Sequence, residues 1–174
     1  AYIDFGGETA LPLIDKYDNL VVVRTFSKSR SMAGLRIGYA ISNPELIKAL
    51  NDVKYSYNSY TMNRPSLVLG VESIHDDAYF REKVGQIIAT RERFVKEIAE
   101  LGFTCLPSSA NFVFATHESI PAKEIFAAAK ENNIYVRYFD KPRIDNYLRI
   151  SIGTDAEMDA FVAFLKGYVE TKQN

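Results

Sequence analysis

The sequence has one cysteine, no tryptophan, two histidines and no excess of charge of either sign. A single thiol, Cys105, closes no internal disulfide, so the expected setting is a reducing cytoplasm. In the apolar stretch Gly102 to Leu106 it reads as a small core residue rather than a reactive thiol. His75 and His117 stand without partners at metal spacing, which favours surface or capping roles over zinc, and Glu72, Asp76 and Asp77 read as a solvated helix end. Lysine and arginine number 21 against 22 aspartates and glutamates, a formal net charge of −1, so no field of one sign is present to hold a nucleic acid or an anionic membrane. No apolar run approaches the roughly 18 residues of a spanning helix. The opening AYIDFGG lacks the charged-then-apolar layout of a secretory leader.

What is present is an ordinary globular composition, 47% apolar and 25% charged, enough for one good core or one and a half domains. Tyr2 to Phe5 followed by Gly6-Gly7 reads as the tail of a strand entering a turn. Leu11 to Tyr17 is a short helical or irregular piece. Val21 to Val23 reads as a strand buried on both faces, and Leu35 to Ile41 as a second strand. Asn43-Pro44-Glu45 starts a helix whose buried face is Leu46, Ile47, Leu50 and Val53. Tyr55 to Tyr60 reads as a loop, and Asn63 to His75 as a further helix. A long amphipathic helix, about residues 79–101, buries Phe80, Val84, Ile87, Ile88, Phe94, Val95, Ile98 and Leu101 on one stripe.

Beyond Gly102 the pattern becomes α+β. Strands are expected at Phe103 to Leu106, Asn111 to Ala115, Ile134 to Arg137 and Tyr147 to Ile152, with a helix over Pro121 to Asn132. The last helix opens on a capping box, Thr154 and Glu157, and buries Met158, Phe161, Val162, Leu165, Tyr168 and Val169. A frayed tail is expected at Thr171 to Asn174.

Chemistry concentrates in two places. Between the first two strands, Lys28 lies beside Thr25 and Ser27, with Arg30 in the same loop and Arg36 eight residues on. An amine near a fixed cation and hydroxyl donors suits an anion that also carries a carbonyl. On spacing alone, a lysine in a serine-rich loop is solvated surface more often than catalytic. In the second place, the period of two puts Arg149 opposite the apolar face of Leu148, Ile150 and Ile152, and Arg137 opposite that of Ile134 and Val136. Strand arginines are solvated more often than functional, yet two forks on one small sheet could converge on a carboxylate or phosphate.

Eight positions, Thr25, Ser27, Lys28, Ala33, Gly34, Leu35, Arg36 and Gly38, resemble the T-x-S-K-x(4)-A-G-L-R-x-G signature of class I/II aminotransferases, pyridoxal-phosphate enzymes of fold type I. The phrase NIYVRYFDKPRIDNYLRISIGT is similar to the ending of the family's histidinol-phosphate branch, and SSANFVF to its S-x-A-N-F segment. The resemblance runs from Tyr2 to Val169. It implies an α/β fold: a remnant of the cofactor-binding large domain, 1–77, with two strands plus helices, followed by an α+β small domain, 78–174.

Carried over by this resemblance, Lys28 is the Schiff-base lysine and proton shuttle, an amine that burial beside a cation would keep neutral. Arg36, Ser27 and Thr25 hold the cofactor phosphate, and Tyr2 hydrogen-bonds the ring oxygen. Arg149 grips the anionic end of the substrate, assisted by Arg137, with Asn111 and Asn58 on the substrate side. At the Asn58 stretch the family's R-x-P has become Lys54-Tyr55-Ser56. The implied reaction moves an amino group between a donor such as histidinol phosphate and 2-oxoglutarate, in histidine biosynthesis, by a cytoplasmic homodimer. A phospho-amino-acid decarboxylase, a C–S lyase or a non-catalytic assembly fragment are the alternatives. The aspartate of the family's D-x-A-Y motif, which pairs with the cofactor ring nitrogen, would fall two positions before Ala1. The expectation is therefore of a C-terminal portion whose 174 residues alone bind the cofactor weakly and do not transaminate. Its first 75 or so residues are expected to be the less native half, with the Val21 to Thr25 strand edge and apolar face uncovered.

Overall fold

A computed structural model describes residues 1–173. The chain divides into a first unit, Ala1–Val84, and a second that begins at Gly85.

The first unit opens with a 3-10 turn, Ile3–Phe5, stopped by Gly6 at φ 104°, where glycine carries no Cβ penalty. The residues expected as the tail of a strand are thus helical, because the turn closes locally through Phe5 N–H to Tyr2 O and Gly7 N–H to Ile3 O. Two strands follow, β1 (Val22–Thr25) and β2 (Gly38–Ile41), paired antiparallel with Val22 opposite Ile41 and Thr25 opposite Gly38. The second strand starts three residues later than expected, since Ala33–Leu35 forms a 3-10 turn and Arg36 takes the left-handed conformation at φ 56°. Val23 is 68% exposed, so β1 is not buried on both faces; its side chain lies on a side that no other described element of its own unit covers.

Two helices complete this unit. α1 (Pro44–Tyr57) is capped by Asn43, whose side chain accepts the Leu46 N–H at 2.9 Å, and Pro44 occupies the first turn where its missing donor costs nothing. It runs into the stretch expected as a loop. It buries no residue: Leu46 and Ile47 are half-covered and Leu50 and Val53 exposed, because no second layer from its own unit lies over that face. α2 (Arg64–His75), capped by Asn63 through Ser66 N–H, packs by its small residues. Ser66 Oγ donates to Leu35 O at 2.9 Å, and Gly70 comes so close that an added Cβ would meet Ile37 Cδ1 at 2.9 Å.

α3 (Asp77–Ala99) continues into the second unit, which carries a four-stranded antiparallel sheet in the order β3-β4-β6-β5. These strands are β3 (Phe103–Cys105), β4 (Phe112–His117), β5 (Arg137–Tyr138) and β6 (Leu148–Ser151), with α4 (Ala122–Glu131) between β4 and β5 and α5 (Asp155–Gln173) at the end. Along β6 burial alternates as the sequence predicts, Leu148 and Ile150 in, Arg149 and Ser151 out. β5 is shorter than expected. The chain leaves α4 through Asn133 at φ 60° and Ile134 N–H bonds back to Ala129 O, so Ile134 to Val136 follow the helix end and only Arg137 and Tyr138 join the ladder.

The core of this unit packs Phe94 and Ile98 of α3, Val113 and Ala115 of β4, Ile125 of α4, and Leu148 and Ile150 of β6. Against them lie Met158, Phe161, Leu165 and Val169 of α5. The capping box forms as its spacing requires: Glu157 Oε2 accepts Thr154 N–H at 2.7 Å and Thr154 Oγ1 accepts Glu157 N–H at 3.3 Å. Thr171 to Gln173 are helical rather than frayed, and Asn174 lies outside the described residues.

Candidate active site

The lysine loop, residues 26–37, is closed by its own backbone. Phe26 N–H donates to Ile37 O at 3.1 Å, Met32 N–H to Phe26 O at 3.0 Å and Ser31 N–H to Lys28 O at 3.0 Å. Two non-glycine residues, Ser31 and Arg36, hold left-handed φ values of 55° and 56°. Such conformations cost on the order of 1–2 kcal/mol each and persist where surrounding contacts over-determine them. Thr25, the last residue of β1, accepts Ser27 N–H at 3.0 Å and lies 2.9 Å from Ser27 Oγ, so the two hydroxyls form one polar ledge beneath Lys28 in sequence.

Lys28 is exposed, and its Nζ stands 5.6 Å from the centre of the Tyr2 ring, within reach of an ammonium–π attraction. The burial expected to favour a neutral amine is absent: the loop tip projects from the short hairpin with its side chain in solvent. Arg36 is also exposed, and the left-handed turn at its own Cα carries its Nη1 back to donate to Ala33 O at 2.8 Å. The structure thus brings Tyr2 to Lys28 and Thr25 to Ser27.

Two further residues hold this loop and were not read as functional. Arg30 stacks on Phe80 with its Cζ 4.1 Å from the ring centre, lies 5.4 Å from that of Phe26, and donates to the Ser73 carbonyl at the end of α2. Asp4 accepts from Arg24 Nη2 and from Ser29 Oγ, both at 2.5 Å. Sequence spacing gives no signal for a carboxylate 20 and 25 residues from its partners.

In the second unit, Arg137 and Arg149 are register partners on β5 and β6, both exposed. The Arg149 Cζ lies 5.5 Å from the Phe112 ring and the Arg137 Cζ 5.4 Å from that of Phe139. Phe114, the partner of Arg149 on β4, stacks on Tyr147 at 4.6 Å and meets Phe139 edge-on at 6.2 Å. This half-covered aromatic floor was missed, although alternation along Asn111 to Ala115 was its signal. Asn111 offers its backbone carbonyl to Ile152 N–H at 2.9 Å. Asn58 is the exposed C-cap of α1, donating its N–H to Lys54 O at 2.8 Å.

His117 is buried. Its Nδ1 accepts the N–H groups of Ser119 and Ile120, both at 3.1 Å, which leaves Nε2 to donate to Leu101 O at 2.9 Å. Among the described residues no group of three or more possible metal ligands converges, and no helix is long and apolar enough to cross a membrane.

The donor types around the loop, an amine, a phenol, two hydroxyls and a guanidinium, are those that could hold a phosphorylated aromatic aldehyde, an amine for the carbonyl and hydrogen-bond donors for the phosphate and ring oxygen. Residues 1–165 match the family model described as aminotransferase class I and II. The chain is 51% identical over 173 residues to a histidinol-phosphate aminotransferase of Lactococcus lactis, covering 99% of this chain and 48% of that relative. Two crystal structures superpose well. The histidinol-phosphate aminotransferase of Clostridium acetobutylicum has a TM-score of 0.87 at 26% identity, over 98% of this chain and 53% of that one. That of Sinorhizobium meliloti, in complex with pyridoxal-5'-phosphate, has a TM-score of 0.81 at 28% identity, over 98% and 47%. The chain spans about half the length of the curated relatives it matches.

Proposed function

The chain belongs to the class I and II aminotransferases, and from that membership we propose that it carries the lysine loop and small domain of a pyridoxal-phosphate-dependent histidinol-phosphate:2-oxoglutarate aminotransferase. The observation that carries the assignment is Lys28, its Nζ 5.6 Å from the Tyr2 ring, inside the stretch from Thr25 to Gly38 that bears all eight signature positions. Pyridoxal phosphate, when bound, supplies an aldehyde for amine exchange and a ring that withdraws electrons from the substrate carbon.

The chain's own residues do the rest. Lys28 would hold the cofactor through Nζ, and its amine, in the neutral form, would hold and move the proton at the reacting carbon. Tyr2 would orient the cofactor through its phenol, the Ser27 and Thr25 hydroxyls would donate hydrogen bonds to its phosphate, and Arg36 would offset the phosphate charge. The Arg36 guanidinium must first exchange its hydrogen bond to Ala33 O for the anion. Arg149, with Arg137 beside it, is assigned to the anionic end of the substrate, and Asn111 and Asn58 to substrate contacts, by the family resemblance. The small domain is residues 78–174, and the whole protein works as a cytoplasmic homodimer in histidine biosynthesis.

The 174-residue chain alone binds the cofactor weakly and is inactive, which is supported by the exposure of Lys28 and the self-satisfied Arg36. Incubation with pyridoxal phosphate, reduction with borohydride and peptide mapping tests both statements. Preferential labelling of Lys28, well below one label per chain, is expected. Even labelling across the lysines overturns the role of Lys28, and stoichiometric labelling, or turnover of histidinol phosphate with 2-oxoglutarate, overturns the inactivity of the chain.

A further inference from the structure

One carboxylate in the first unit joins two residues that flank the lysine site in sequence, Arg24 and Ser29. Asp4 Oδ1 accepts Arg24 Nη2 at 2.5 Å, and Oδ2 accepts the buried Ser29 hydroxyl at 2.5 Å. Arg24 precedes Thr25, Ser29 follows Lys28, and Asp4 itself sits two residues from Tyr2. Tyr2, Thr25 and Lys28 therefore each lie within two residues of a member of a three-residue polar knot. The Arg24 and Asp4 side chains are 19% and 24% exposed, so the pair is screened less than one on an open surface. The knot also crosses elements, joining the N-terminal 3-10 turn to β1 through Arg24 and to the loop through Ser29.

We propose that Asp4 is a positioning residue, the group that fixes the Tyr2 turn against the Lys28 loop and so sets the direction in which the Lys28 amine is presented. The carboxylate is suited to this because it accepts from a guanidinium and a hydroxyl at once, holding strand and loop on its two oxygens. The proposal rests on the assignment of Lys28 and Tyr2 to the cofactor, but its measurement does not require the cofactor.

Trace acetylation with acetic anhydride, followed by peptide mapping, compares Lys28 with Lys48 in the same molecule. Hydrogen exchange at the amides of Ser31 and Met32 reads closure of the loop. Asp4→Asn is expected to change the Lys28 to Lys48 acetylation ratio at least twofold and to speed loop exchange at least tenfold. Asp4→Glu is expected to return both towards the original values, and Ser29→Ala to give a smaller change of the same sign. An unchanged ratio and unchanged exchange in Asp4→Asn overturn the proposal, as does a change that Asp4→Glu fails to reverse or Ser29→Ala fails to share. Should Asp4→Asn not fold, an unchanged ratio in Ser29→Ala overturns it alone. Failure of pyridoxal phosphate to trap on Lys28 would sink the functional assignment while leaving these results standing, so the two failures are distinguishable.

Discussion

Arg137 and Arg149 stand directly opposite each other across β5 and β6, two cations in one register pair. Like charges so placed destabilise a sheet by a few tenths of a kcal/mol up to about 1 kcal/mol. An anion between them removes that cost. Inorganic phosphate is therefore expected to raise the Tm of the chain more than chloride at equal ionic strength. Arg149→Leu should abolish the phosphate effect while gaining about 0.5 kcal/mol without phosphate, read by thermal melts in the two salts. Phosphate stabilisation that survives in Arg149→Leu would remove this residue from the anion grip.

Replacement of His117 by phenylalanine keeps a ring against Phe103, on which the imidazole now stands edge-on at 4.8 Å. It strips an acceptor from the Ser119 and Ile120 amides and a donor from the Leu101 carbonyl. Buried groups so orphaned cost about 1–3 kcal/mol each, partly recovered by local relaxation. His117→Phe is expected to lower unfolding free energy by about 3 kcal/mol, seen as a lower denaturant midpoint at unchanged slope. A midpoint within error of the original would show that the three hydrogen bonds are not formed in solution.

Burial pushes the Cys105 thiol up to about 11, leaving little thiolate at neutral pH. Alkylation by iodoacetamide at pH 7.5 is expected to be on the order of a hundredfold slower than for a free thiol and to accelerate on unfolding. Fast alkylation of the native chain would contradict the packed position of Cys105 on β3.

Acid sensitivity has a local source in the link between α3 and α5. Asp155 is held below its ordinary range, first by the Thr90 hydroxyl and then by Arg93, and Glu157 by the backbone and side chain of Thr154. A carboxylate with a depressed folded pKa stabilises the fold above its unfolded value, and that stability is lost as pH falls. Asp155→Asn should therefore lower stability at neutral pH and flatten the loss between about pH 5 and 3, followed by denaturant melts across that range. Parallel acid profiles for the two proteins would remove Asp155 from the effect.

The sequence announced what depends on near neighbours. Thr154 and Glu157 are three apart and form their box; Leu148, Ile150 and Ile152 alternate and are buried; Met158, Phe161, Leu165 and Val169 share a stripe and enter the core. What it concealed depends on distant partners or on their absence. Val23 and Val53 look like core residues, yet nothing in their unit covers them. The left-handed turn that lays the Arg36 guanidinium on Ala33 O has no signal in the residue spacing. Asp4 looked like an ordinary turn acid because its partners are Arg24 and Ser29. For Val23 and Val53 the reason is that periodicity reports which face is apolar, not what lies over it; the burial of Lys28 was implied by the resemblance alone, and in this chain the residue is exposed.

The large apolar cluster lies entirely beyond Val84, while α1 buries nothing and Leu67, Val68, Val71 and Ile74 of α2 are about half exposed. A protease meets such a chain as two unequal substrates. Backbone around residues 42–63, with little apolar packing behind it, opens to a cleavage site at low energetic cost, whereas a cut beyond Gly102 must first disrupt the common core. Brief digestion should therefore accumulate a resistant C-terminal piece before any fragment derived from the sheet of β3 to β6 appears.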